Sequence, residues 1–208
     1  MSMRPRFFAF EGIDGSGKGT QIRLLTERMK AAGIPLFSTL EPSDSPTGAL
    51  IHQVLIGRIT MAPEALAALF AADRLDHVTN PVNGILAAME DGKSVITDRF
   101  YFSSYAYQSV DVPMDWILAA NTLVTQKIRP DATIFIDVDP EITMRRVEAR
   151  GETRELFENT ERLKATRERY FEAFRRTEGE ETVLIVDGDR PAEEVAAEIW
   201  EKIAPYYL

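Results

Sequence analysis

Short apolar runs with β-branched and aromatic residues recur along the chain. Between them lie longer stretches whose apolar positions return with the helical period. The runs Phe7–Phe10, Leu36–Leu40, Ser94–Thr97, Thr133–Val138 and Val183–Val186 predict strands. Helices are predicted at about Thr20–Ala32, ended by Gly33, and at Gly48–Ile56, Pro63–Glu90, Met114–Lys127, Glu141–Arg150, Thr160–Thr177 and Ala192–Ile203. Strands alternating with helices predict βαβ units, hence an α/β domain with a five-stranded parallel sheet flanked by helices on both faces. No internal repeat, low-complexity tract or Gly/Ser-rich linker divides the chain, so residues 1–208 read as one domain. The charged, non-periodic segment Arg150–Glu158 reads as a short mobile lid.

The first strand feeds a glycine-rich turn, Gly12-Ile13-Asp14-Gly15-Ser16-Gly17-Lys18-Gly19-Thr20, and a helical pattern follows. Glycines at 12, 15 and 17 let successive backbone N–H groups converge on phosphate oxygens without side-chain obstruction. The helix start adds the positive end of its dipole. In this setting Lys18 is expected at the β- and γ-phosphates of a nucleoside triphosphate, and a following hydroxyl at Mg²⁺. The usual pattern puts Ser or Thr directly after the lysine; here Gly19 intervenes and the hydroxyl belongs to Thr20. This strand, loop and helix arrangement marks the P-loop NTPase fold.

Ligands of open α/β sheets sit beyond the carboxyl ends of the strands, so the residues there are the next candidates. The second strand runs into Leu40-Glu41-Pro42-Ser43-Asp44-Ser45-Pro46, and the third into Asp98-Arg99. Asp98 is suited to hold hydrated Mg²⁺, and Arg99 to clamp a phosphate. Beyond the fourth strand, Asp137 and Asp139 precede Pro140 and read as helix caps. Arginines crowd the lid region at 145, 146, 150 and 154, and continue at 162, 167 and 169. Charge spread over the equatorial oxygens of a transferring phosphoryl group calls for such cations, and Arg150 and Arg154 are the leading candidates. Many of the others belong to a charge-laced helical surface.

Composition narrows the partners. Hydrophobic residues make up 45% and charged residues 27% of the chain, and the net charge is −9. That balance argues against a nucleic-acid or anionic membrane partner. The lack of cysteine excludes disulfides, thiol catalysis and thiolate metal sites, and fits a reducing compartment. Residues 1–6 carry no secretory signal and no run reaches the length of a membrane span, so a cytoplasmic location is expected.

Taken together, the residues resemble the thymidylate kinase family of nucleoside monophosphate kinases. The resemblance rests on Phe-Glu-Gly-Ile-Asp-Gly-Ser-Gly-Lys at 10–18, Glu41-Pro42, Leu-Phe-Ala-Ala-Asp-Arg at 69–74, Asp98-Arg99-Phe100, Ser-Ser-Tyr-Ala-Tyr-Gln at 103–108, and the lid. It implies transfer of the γ-phosphoryl group of ATP to thymidine monophosphate (dTMP), with Mg²⁺ as cofactor, in a homodimer. By the same resemblance, Phe70 is expected to stack on thymine, Arg74 to read its O4 oxygen, and Ser104 to lie near the base edge. Tyr107 is expected to crowd the sugar, Asp14 to meet its 3′-hydroxyl, and Arg99 to hold the 5′-phosphate. Arg190 is implied beside adenine, and a Gly at 15 goes with catalytic arginines supplied by the lid.

The chain departs from the family at two places. Members commonly carry Arg before Glu-Pro, where this chain has Leu40, and Ser or Thr at position 19. These departures keep open a kinase for another nucleoside monophosphate. A nucleoside kinase would need a general base at the acceptor hydroxyl, and a nucleotide-dependent switch would have no use for the lid arginines.

Overall fold

A computed structural model describes residues 4–150 and 159–207. Its strands are β1 (Phe7–Glu11), β2 (Leu36–Leu40), β3 (Ser94–Asp98), β4 (Ala132–Asp137) and β5 (Val183–Asp187). All pair in parallel in the order β2-β3-β1-β4-β5, with Phe7 opposite Val95 and Phe8 opposite Ala132. The central position of β1 explains its sequence. A parallel strand covered on both faces needs apolar residues at every step, and Phe7, Phe8, Ala9 and Phe10 are all fully buried. Each phenylalanine contributes about 1.5–3 kcal/mol by burial.

The pleat sends alternate residues to two cores. Phe8 and Phe10 meet Leu25 and Met29 of α1 (Lys18–Ala31), and Val195, Ile199 and Ile203 of α10 (Ala192–Ile203). Phe7 and Ala9 face the larger core, built on α3 (Pro63–Thr79), α5 (Tyr101–Tyr107), α6 (Met114–Ala120) and α9 (Thr160–Arg176). The expected α/β sheet with helices on both faces is the observed one. Among the described residues no helix is long and apolar enough to cross a membrane.

Two predicted helices are each divided. The Pro63–Glu90 stretch is α3 and α4 (Ile85–Glu90), parted where Asn80 Oδ1 accepts the Val82 N–H at 3.0 Å and Pro81 interrupts the ladder. The Met114–Lys127 stretch is α6 and α7 (Thr122–Lys127), parted at the buried Asn121, whose amide donates to Ile117 O at 2.8 Å. Helix α5 escapes the periodicity rule because all seven of its residues are buried. Helix α2 (Pro46–Leu55) starts on a Ser45 cap, which accepts from Gly48 N at 3.0 Å. Asp139 Oδ1 accepts from Glu141 N at 2.7 Å at the head of α8 (Pro140–Arg150), as expected, whereas Asp137 pairs with Arg167 at 2.6 Å. Of the lid read at 150–158, residues 151–158 with Arg154, and the Arg150 side chain, lie outside the described residues.

Candidate active site at the carboxyl ends of the strands

Gly12, Gly15 and Gly17 have φ of 147°, 79° and 97°, the region where a side chain is strained. At Gly12 a Cβ would also meet Ile136 O and Ser16 Oγ at 2.7 Å. The loop thus turns tightly between β1 and α1, with Gly17 in the left-handed cap position. Lys18 is buried at the start of α1, and its ammonium donates to Gly12 O at 3.0 Å and Ile13 O at 3.2 Å. Burial and the neighbouring Arg99 charge lower its pKa, against the pull of Asp98, Asp14 and Glu11.

Arg99 projects from the end of β3 toward this loop. Its guanidinium donates to Gly12 O at 3.3 Å, to Ser103 Oγ at 3.1 Å and to Asp14, and stands 4.9 Å over the Tyr107 ring. Tyr107 donates to Asp14 Oδ2 at 2.8 Å. Burial alone would raise the Asp14 pKa; the Arg99 and Lys18 charges and the Tyr107 hydroxyl outweigh it and hold the carboxyl below its ordinary value. An ionised Asp14 and two adjoining cations therefore share one wall.

These groups border a cleft of about 740 Å³ that also takes in Glu41, Pro42, Phe70, Asp98 and Gln108. The Glu41–Pro42 peptide is cis. A second cavity, of about 430 Å³, lies on the other side of the loop and is lined by Ile136, Arg146, Gly188 and Arg190. Both are lined by Gly15, Gly17 and Thr20. The phosphate loop therefore separates two chambers.

A family model described as thymidylate kinase matches residues 10–199, most of the chain and all of both chambers. The chain belongs to the thymidylate kinase family. It is 36% identical over 197 residues to the thymidylate kinase of Symbiobacterium thermophilum, covering 93% of this chain and 90% of that one. It is 39% identical to a probable thymidylate kinase of Pyrobaculum calidifontis, with 93% of both chains covered. A thymidylate kinase of Rhodopseudomonas palustris is 37% identical, covering 97% of this chain and 90% of its own.

Against the pattern of this thymidylate kinase family, the candidate residues sort into the cleft wall and the layer behind it. Phe70 lines the cleft, partly buried against the cluster of Ile51, Val54, Leu55 and Leu66. Arg74 lies behind the wall, 1% exposed, donating to Glu41 Oε2 at 2.7 Å, Ser104 Oγ at 2.9 Å, Asn121 Oδ1 at 2.6 Å and Phe100 O at 3.2 Å. Glu41 also takes His77 Nδ1 at 3.1 Å, while Thr39 Oγ1 lies 2.7 Å from His77 Nε2. The Phe70 end of the cleft is thus backed by one hydrogen-bonded block. Ser103, adjacent to Ser104, is the serine of the α5 motif that reaches the cleft.

In the second chamber, Arg190 donates to Asp187 O at 3.2 Å and pairs with Glu198, and Arg146 donates to Gly188 O at 3.3 Å. A Cβ at Gly188 would meet Ile136 Cγ2 at 2.5 Å, so this turn must carry glycine to pack on β4. Asp98 also lines the cleft, and its Oδ1 is buried without a hydrogen-bond partner among the described residues.

Motif reading assigned no role to Gln108 or His52, both of which line the cleft. Gln108 has a buried amide oxygen without a partner among the described residues. Its place at the end of the α5 motif was the available signal. His52 carries none that distinguishes it from any helix-surface histidine.

Proposed function

We propose that this chain moves the γ-phosphoryl group of ATP directly onto a 5′-phosphate oxygen of dTMP, giving dTDP and ADP for thymidine nucleotide synthesis. The observation that carries this reading is the pair of chambers sharing Gly15, Gly17 and Thr20. A triphosphate laid along the loop from the smaller chamber presents its end to an acceptor in the larger one. The acceptor oxygen is already anionic, so positioning and charge neutralisation carry the reaction and no protein nucleophile is needed.

On this reading the loop from Gly12 to Thr20 holds the ATP phosphates, and adenine lies toward Arg190. Two ammonium protons of Lys18 rest on loop carbonyls. The third serves the donor phosphate. Arg99 holds the acceptor phosphate, and ionised Asp14 accepts from the sugar 3′-hydroxyl beside Tyr107, which crowds the 2′ position. Phe70 supplies the stacking face. The unpaired Gln108 oxygen suits the thymine N3–H, an acceptor facing a donor that cytosine lacks. Arg74 has one guanidinium proton beyond its present partners for the thymine O4, backed by Glu41, Pro42 and Ser104. Arg150 and Arg154 supply further charge to the transferring group.

The donor set fits Mg²⁺. The orphaned Asp98 oxygen and the Thr20 hydroxyl are hard oxygen ligands at the cleft. Among the described residues no three acidic or histidine side chains converge as a metal cage, which suits an ion held mainly by nucleotide phosphates. When bound, it neutralises charge on the β- and γ-phosphates. A homodimer in the cytoplasm completes the proposal. It draws support from the family resemblance and from exposed Leu50, Trp116 and Leu123 on helices that pack beside α3.

The test is ADP production with ATP and Mg²⁺ across dTMP, deoxyuridine, uridine, cytidine, adenosine and guanosine monophosphates, with thymidine as a further acceptor. A strong preference for dTMP is expected, and Arg99→Ala should lower kcat/KM for dTMP by about 10²-fold or more. Preference for another acceptor, or turnover indifferent to all of them, overturns the reading.

A further inference from the structure

Glu11 closes β1 with no exposed surface, and it does not reach the cleft. Its Oε1 accepts the backbone N–H groups of Phe100 at 2.8 Å and Ser103 at 3.1 Å. Its Oε2 accepts the Ser103 hydroxyl at 2.6 Å and the Tyr170 hydroxyl, from α9, at 2.8 Å. Four donors converge on a group that only accepts when ionised. Burial of such a charge is expensive, and the described residues place no cation in contact with it.

Two of the groups it touches, the Phe100 N–H and Ser103, bear on Arg99. That residue has φ of 69°, and among the described residues no other non-glycine has positive φ. Its N–H donates to Phe10 O at 2.8 Å, its carbonyl accepts from Thr97 Oγ1 at 2.9 Å, and the next N–H, of Phe100, goes to Glu11. A left-handed arginine persists only where its surroundings over-determine it. The side chain is held as well. Because the Ser103 hydroxyl gives its proton to Glu11, its lone pairs are left to accept Arg99 Nη1 at 3.1 Å.

We infer that Glu11 is a positioning residue for the acceptor: through Phe100 N–H and the Ser103 hydroxyl it sets both the backbone and the guanidinium of Arg99 at the cleft wall. Tyr170 extends the same hold to α9. The inference rests on the reading of Arg99 as the acceptor-phosphate clamp, and the experiment separates the two.

Glu11→Gln, Arg99→Ala and the double variant are assayed with dTMP and ATP varied in turn. Thermal melts certify folding, and NMR of isotope-labelled arginine reports whether the Arg99 guanidinium is held. The expected result for Glu11→Gln is a dTMP KM raised about ten-fold, the scale of one charge-assisted hydrogen bond, with the ATP KM within about two-fold. The double variant should be no worse than Arg99→Ala alone, and in Glu11→Gln the restrained Arg99 guanidinium signal should be lost. If Glu11→Gln does not fold, Ser103→Ala carries the test, with a dTMP KM raised about three-fold.

An unchanged dTMP KM in these variants, while Arg99→Ala raises it, overturns the proposal. So does a loss of active protein with both KM values intact, or an effect additive with Arg99→Ala. Should Arg99→Ala leave the dTMP KM unchanged while Glu11→Gln frees the guanidinium, Glu11 still positions Arg99 and the clamp reading is the one that falls.

Discussion

Leu40 ends β2 with 44% of its surface exposed, in a cleft wall that also includes Lys18, Asp98, Arg99 and Glu41. A leucine left that exposed gains little from burial. The family more often has arginine at this position, which on the proposed reading would add a second cation beside Arg99 at the acceptor phosphate. Leu40→Arg is therefore expected to lower the dTMP KM by up to about five-fold, roughly 1 kcal/mol, the most that a solvent-screened pair of this kind contributes. The ATP KM should stay put. Initial rates with each substrate varied give the answer, and an unchanged dTMP KM would place the acceptor phosphate away from the end of β2. Among the described residues nothing lies within 4 Å of a Cβ built at Gly19, the other departure. Sterics do not explain the glycine.

At the scale of elements, legibility followed the balance of local and distant forces. The five strands and the phosphate loop could be read because a buried parallel strand and a positive-φ glycine turn are written in consecutive residues. Helix α5 could not, since its run of Tyr, Phe and Ser is buried on every side and shows no polar face. Nor could the break at Asn121, whose side chain serves Arg74 47 positions earlier. Phe70 and Gln108 were visible as motif members, but their exposure to the cleft depends on α3 and α5 meeting in space.

The pairing of β1 with α5 through Glu11 is equally non-local, and it leaves a pH signature. Burial raises the Glu11 pKa, partly offset by its hydroxyl and backbone donors and the Arg99 charge. A carboxyl with a raised folded pKa binds its proton more tightly in the native state than in the unfolded chain. Its contribution to stability is therefore full below its ordinary value of 4.5 and is lost as pH rises through the folded value. Relative to Glu11→Gln, the natural protein should lose stability as pH climbs above about 4.5, whatever constant offset the substitution brings. Denaturant midpoints across pH 4–8 check the sign, and a difference that stays flat or grows in the other direction rejects the buried-charge account.

For the molecule as a whole, the strand order brings the ends of β1 and β3 side by side, and β4 flanks β1 on its other edge. One chamber forms at the β1/β3 side and the other toward β4 and β5, with the loop after β1 belonging to both. On the proposed reading the two substrates are neighbours across that loop, so their binding energies are available to one molecule that carries both. Thymidine and adenosine joined by a phosphate chain should then stabilise the protein more than ATP and dTMP together at the same concentration. The tethered second half binds at a high effective concentration and loses its freedom of translation only once. At a hundred times its dissociation constant such a ligand contributes about 2.7 kcal/mol, a rise in Tm of roughly 5–11 °C for a chain of this size. Thermal melts with the linked compound, with each nucleotide and with the unlinked pair make the comparison. If the linked compound shifts Tm no further than ATP alone, the chambers are not occupied together and direct transfer between them fails. A larger shift that Phe70→Ala reduces and Arg190→Ala reduces separately would assign one half of the ligand to each chamber.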